Sequence, residues 1–132
     1  MEIIHPHTTK GPSDQFTGDV YPTIILSGKE PSRVRMASVH FAPGARTAWH
    51  SHAVGQYIHV EEGAAYLQER GSDRIILRPG DTVYTEPDVE HWHGALPDCF
   101  MVHKVVWEAP DPNSNTEEST WLGHISDVEY NL

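Results

Sequence analysis

"GARTAWHSHAVGQYIHVEEG", residues 44–63, is written in steps of two. A strand sends alternate side chains to the same face, so His50 and His52 point the same way. Beyond the Val54-Gly55 break, Gln56, Ile58 and Val60 share one face, while Tyr57, His59 and Glu61 share the other. With its segment extended, Gln56 can bring its carboxamide to the two histidines from a neighbouring strand. A second stretch, "PGDTVYTEPDVEHWHG" (79–94), supplies His91 from a strand further along. Neutral imidazole is the commonest protein ligand for Mn, Fe, Co, Ni, Cu and Zn. His50, His52, Gln56 and His91 therefore predict a one-metal site inside a small metal-binding β-barrel.

The flanking sequence repeats the theme. "RVRMASVHFA" (33–42) reads as a strand closed by the turn Pro43-Gly44, and "AAYLQE" and "DRIILR" flank Gly71-Ser72 as a hairpin. "EHWHGAL" and "CFMVHKVVWE" (99–108) read as a second hairpin across Pro97-Asp98. Short β-rich runs at spacings of roughly 8 to 12 residues point to an all-β sandwich or barrel. One domain is expected over 1–132: a polar arm over 1–20, a barrel core over 33–107, and a loop with one short helix over 108–132. The "APDPNSNTEEST" stretch (109–120) reads as loop throughout.

Nineteen acidic against nine basic residues give a formal charge of −10. Such a surface repels phosphate backbones and anionic lipid, so nucleic acid and membrane are excluded as partners and a small-molecule substrate is expected. The single cysteine, Cys99, forms no internal disulfide framework and fits a reducing compartment. "MEIIHPHTTKGPSDQF" has no cationic region followed by an apolar run, and no stretch reaches the roughly 18 apolar residues of a membrane helix. The expectation is a soluble cytoplasmic protein.

Alternation also places His93 with His91, and puts Met101, His103, Val105 and Trp107 on one side of their strand. Burying so many imidazoles is costly unless each finds a partner or a metal. His40 and His59 are expected at the surface or at an interface, Arg46 at a solvated turn or rim, and Cys99 inert. Trp49 and Trp92, alternating with the ligands, are expected on the outer face or against another subunit.

The spacing Gly44, His50, His52, Gln56, Gly63 resembles the first signature of the cupin superfamily, whose usual form has Glu where this chain has Gln. From Gly80 to His91 the chain keeps the cupin distance between glycine and metal histidine, with Pro87 in place. More narrowly, "KGPSDQFTG", "FAPGARTAWHSH" and "HWHGA" are similar to small bacterial cupins that include manganese-dependent (R)-selective hydroxynitrile lyases, in which Gln is the usual fourth ligand. The resemblance implies an antiparallel cupin barrel of the jelly-roll type, assembled as a homodimer or homotetramer. It implies one divalent transition metal per subunit, Mn foremost, with Fe, Zn, Co or Ni able to take the same ligands.

The chemistry implied is reversible addition of cyanide to an aldehyde. Three imidazoles and a carboxamide leave the site at the ion's own charge, which favours Lewis acidity. In that reading His103 or His93 is the acid–base group, Thr47 donates a hydrogen bond from the barrel wall, and Ala37 and Val39 shape an aryl pocket. A dioxygenase of the quercetinase-like kind and a non-catalytic small-molecule-binding cupin are the alternatives.

Overall fold

In the computed structural model, which describes residues 1–132, the alternating segments form thirteen strands and one helical turn. The first four strands are β1 (His7–Thr8), β2 (Phe16–Thr17), β3 (Val20–Leu26) and β4 (Val34–Phe41). Next come β5 (Arg46–Thr47), β6 (His50–His52), β7 (Gln56–Gly63), β8 (Ala65–Glu69) and β9 (Ile75–Leu77). The remainder are β10 (Thr82–Thr85), β11 (His91–Ala95), β12 (Met101–Glu108), β13 (Ser119–Trp121) and α1 (Asp127–Tyr130). No helix is long and apolar enough to cross a membrane.

All pairings are antiparallel. One sheet runs β1-β3-β4-β12-β7-β10, and the other runs β13-β6-β11-β5-β2 with β8 and β9 joined through β11. The two curl face to face into the jelly-roll barrel, and their inner faces bury Val20, Val39, Phe41, Ile58, Leu67, Met101 and Val105 as one core. β7 shows why the sequence pattern works. Gln56, Ile58 and Val60 are buried while Tyr57 and His59 face water, as period-two alternation requires. Gly63, at φ +74°, ends this strand where a Cβ would meet the Phe100 carbonyl oxygen, so only glycine fits.

Several expectations are corrected. The segments 90–96 and 99–108 do not form a hairpin. β11 pairs with β5, β6 and β8, whereas β12 pairs with β4 and β7, and only a Leu96–Cys99 bridge joins them. The Pro97-Asp98 turn carries the chain from one sheet to the other instead of folding it back within one. Along β12, His103 is buried as expected but so is Val102, and the register on β7 slips between them. Ser119 and Thr120 are not loop: they begin β13, paired with His52 and Ser51 of β6. Arg46 is not at the rim. It is buried, donating to the Ile125 carbonyl and Asp127 carboxylate, with its guanidinium 4.5 Å from the centre of the Tyr130 ring. Trp49 and Trp92 do lie outside the barrel, but the chain's own C-terminal segment covers them through Ile125 and Tyr130.

Candidate metal centre

The centre lies between the sheets. On one side β6 and β11 meet with His50 directly opposite His91, which fixes both rings at one height in the barrel. His52 follows two residues on from His50, and His93 two on from His91, so all four imidazoles enter the interior. The facing sheet supplies Gln56 from β7 and His103 from β12. All six residues are buried.

Ring centroids are 4.3 Å apart for His50–His91, 5.1 Å for His50–His52 and 5.7 Å for His52–His91. Ring nitrogens of His50, His91 and His93 lie within 4.8 Å of one another. His50, His52, His91 and the Gln56 carboxamide thus face one region of the interior, but the three ring nitrogens within 4.8 Å of one another include His93 in place of His52.

What each imidazole does with its outer nitrogen separates the roles. His50 Nδ1 donates to the Ala48 carbonyl at 2.9 Å, and His91 Nδ1 donates to the Val89 carbonyl at 3.0 Å. A carbonyl only accepts, so Nδ1 carries the proton and Nε2 presents a lone pair inward. His52 Nδ1 is 2.9 Å from the Ser119 hydroxyl, and its Nε2 is buried without a partner. The His91 Nε2 lone pair faces Gln56 Oε1 at 3.3 Å. A divalent cation taking the inward lone pairs of His50 and His91 would also satisfy the stranded His52 Nε2, with the Gln56 carboxamide 3.3 Å from His91 Nε2 to add an oxygen donor, so the donor set fits one divalent ion.

His93 differs. Its Nδ1 lies 3.0 Å from His103 Nε2, so one of these nitrogens donates to the other, and its Nε2 is buried without a partner. The proton in this pair is held by a second imidazole rather than locked on a carbonyl. Burial lowers all five histidines, His52 and His103 to about 4, with the neighbouring imidazoles adding to the effect at His50, His52 and His93. Every ring is therefore neutral at pH 7, the state in which nitrogen binds metal or accepts a proton. Thr47 is buried beside the pair, but its Oγ1 accepts the His93 backbone N–H at 3.1 Å. It holds β11 in place rather than serving only as a donor into the cavity.

His50, His52, His93 and His103 open onto a cavity of about 330 Å³. Ala37, Val39, Phe41 and Val105 form its apolar floor, as the alternation of β4 and β12 implied. Its other wall was not foreseen. Phe16 of β2 and Trp121 of β13 pack at 5.9 Å, and Trp121 stacks on His50 at 4.5 Å and 23°. Trp107 Nε1 donates to Glu118 at 2.7 Å. A lone phenylalanine in a polar leader and a tryptophan after a Pro/Asn-rich loop were the available signals, and neither indicates a cavity without knowing the pairing.

The cupin domain family matches residues 37–99. The chain is 40% identical over 121 residues to the (R)-mandelonitrile lyase of Granulicella tundricola, spanning 92% of this chain and 89% of that protein. Its structure superposes on a cupin-like protein from Thermotoga maritima with TM-score 0.86 and 37% identity, covering 99% of this chain and 96% of the other. The polyketide cyclase RemF from Streptomyces resistomycificus shares the fold at TM-score 0.72 and 17% identity, over 99% and 91% of the two chains.

Proposed function

The chain belongs to the cupin family, and from that premise we propose that it is a metal-dependent carbon–carbon lyase that cleaves and forms cyanohydrins. The observation that carries this reading is the unpartnered, buried Nε2 of His93, which lines the cavity beside the histidine cluster and is backed by His103. The likeness to a protein named as an (R)-mandelonitrile lyase supports the substrate class.

His50, His52, Gln56 and His91 would hold the ion, Mn foremost, with Fe, Zn, Co or Ni as alternatives on the same donors. When bound, it supplies a Lewis acid that lowers the cost of negative charge on the substrate. The protein's own groups then handle the proton. With Nδ1–H donating to His103 Nε2, the His93 Nε2 lone pair takes the cyanohydrin's hydroxyl proton. The electron pair left on oxygen forms the carbonyl as the carbon–carbon bond breaks, and the pair of that bond leaves with cyanide. The same proton returns from His93 Nε2 to cyanide, releasing hydrogen cyanide and aldehyde, so no oxidant or reductant is consumed. His103 shares the transient imidazolium charge through the 3.0 Å contact, which an isolated buried ring would bear alone. Phe16, Phe41, Val39 and Trp121 exclude water and receive an aryl group.

The test is elemental analysis of the purified protein and a mandelonitrile cleavage assay under argon on the same sample. Stoichiometric metal with oxygen-independent release of benzaldehyde is the expected result. Activity only in the presence of oxygen would replace the lyase reading with a dioxygenase, and absence of metal would sink the ligand set. The assembly we propose is a homodimer or homotetramer. Tyr57 and Tyr84, exposed side by side at 4.8 Å, are suited to such an interface. Light scattering should give two or four times the 14.8 kDa chain mass.

A further inference from the structure

Three imidazoles of the metal reading have anchored Nδ1 atoms, but they are anchored in two different ways. His50 and His91 each rest on a carbonyl two residues away in their own stretch of chain. His52 has no such carbonyl. Its Nδ1 meets the Ser119 hydroxyl, 67 residues later in the sequence, across the three-residue ladder between β6 and β13. A hydroxyl oxygen accepts a hydrogen bond as those carbonyls do, so its placement decides whether it takes the Nδ1–H. That placement is fixed from both sides. Glu118, just before Ser119, takes the Trp107 indole N–H at 2.7 Å and the Arg35 guanidinium at 3.1 Å, and Trp121, two residues after it, lies stacked on His50.

We propose that Ser119 is the positioning residue for His52, its hydroxyl accepting Nδ1–H so that Nε2 is presented to a divalent cation. The proposal rests on the metal reading above and adds to it a residue outside both histidine motifs. It also makes the C-terminal segment part of the site, since β13 brings in the hydroxyl that orients one of the ligands. Partners of this kind fix tautomer and ring orientation, and their loss typically weakens metal affinity ~10–100-fold.

The experiment compares the wild-type chain with Ser119→Ala and Ser119→Thr. Mn(II) affinity is measured by calorimetric titration, and the His52 tautomer by side-chain ¹⁵N NMR on chelator-treated protein. The expected result is a 10- to 100-fold loss of Mn(II) affinity in Ser119→Ala, with a mixed His52 tautomer. Ser119→Thr, which keeps the hydroxyl, should restore both. Wild-type affinity and an unchanged tautomer in Ser119→Ala would overturn the proposal. So would equal losses in Ala and Thr with the tautomer unchanged, because the hydroxyl would then not be the cause. A wild-type chain with no Mn(II) affinity would sink the metal reading itself, and the tautomer measurement would still decide whether Ser119 sets His52.

Discussion

At the scale of single residues, two kinds of imidazole sit a few ångströms apart. His50 and His91 are locked by carbonyls, whereas the proton between His93 and His103 has two nitrogens to choose from. Removing His103 leaves the set His50, His52, Gln56 and His91 intact but strips His93 of the group that shares its charge. His103→Ala is therefore expected to lower kcat by roughly 10²–10⁴ in the mandelonitrile assay with metal content unchanged. Full activity in this variant would refute the acid–base role. The counterpart is His52→Ala, which should lose metal as read by elemental analysis, while His93→Ala retains it and loses turnover. Metal loss in His93→Ala would instead make His93 a ligand, as its place among the closest ring nitrogens allows.

At the scale of elements, a buried cation helps to latch the C-terminal segment to the barrel. Arg46 of β5 donates to the Ile125 carbonyl at 2.8 Å and to Asp127 at 2.7 Å, and it underlies Tyr130, whose hydroxyl donates to the Ala95 carbonyl. Arg46→Met leaves the Ile125 carbonyl unpaired, which should cost about 1–3 kcal/mol in denaturant unfolding and speed hydrogen exchange over 125–130. Asp127→Asn should cost about 1 kcal/mol or less, because the Asp127 side chain is 87% exposed and water screens that half of the pair. Equal costs would mean that the ion pair, not the carbonyl, holds the latch. Arg46 also marks where sequence reading stops. Its partners lie 79 and 81 residues away, and nothing local distinguishes a buried guanidinium from one at a rim. The same holds for β13, whose three residues gain their strand character only from β6. By contrast β7 was legible, because the alternation from Gln56 to Glu61 reports on both faces at once. The turn at Pro97-Asp98 was visible, but whether it stays in one sheet or crosses to the other depends on where β4, β7 and β8 already lie.

At the scale of the molecule, the barrel concentrates titratable groups where water is excluded. Five of the chain's ten histidines are buried. In the unfolded chain an imidazole takes up its proton near pH 6.5. In the fold His52 and His103 do so only at about 4, and burial also lowers His50, His91 and His93. Between pH 6.5 and about 4 the unfolded chain thus binds more protons than the folded one, and stability falls as pH falls through that window. Above pH 7 these rings are neutral in both states and add no slope. Chelator-treated protein should therefore show a Tm that is level above pH 7 and declines from 6.5 towards 4. On the proposed reading, saturating Mn(II) would bind the folded chain alone and should raise Tm at neutral pH, by about 2.7 kcal/mol of stabilisation at a hundredfold excess over Kd. Protons compete for the same nitrogens, so that increment should shrink as the buffer is acidified. A calorimetric series from pH 8 to 4, with and without Mn(II), reads both effects together. A Tm independent of pH between 7 and 5 in the chelated protein would mean that the imidazoles are not held neutral in the interior. A Mn(II) increment that survived undiminished to pH 4 would mean that the ion is held by groups other than these histidines.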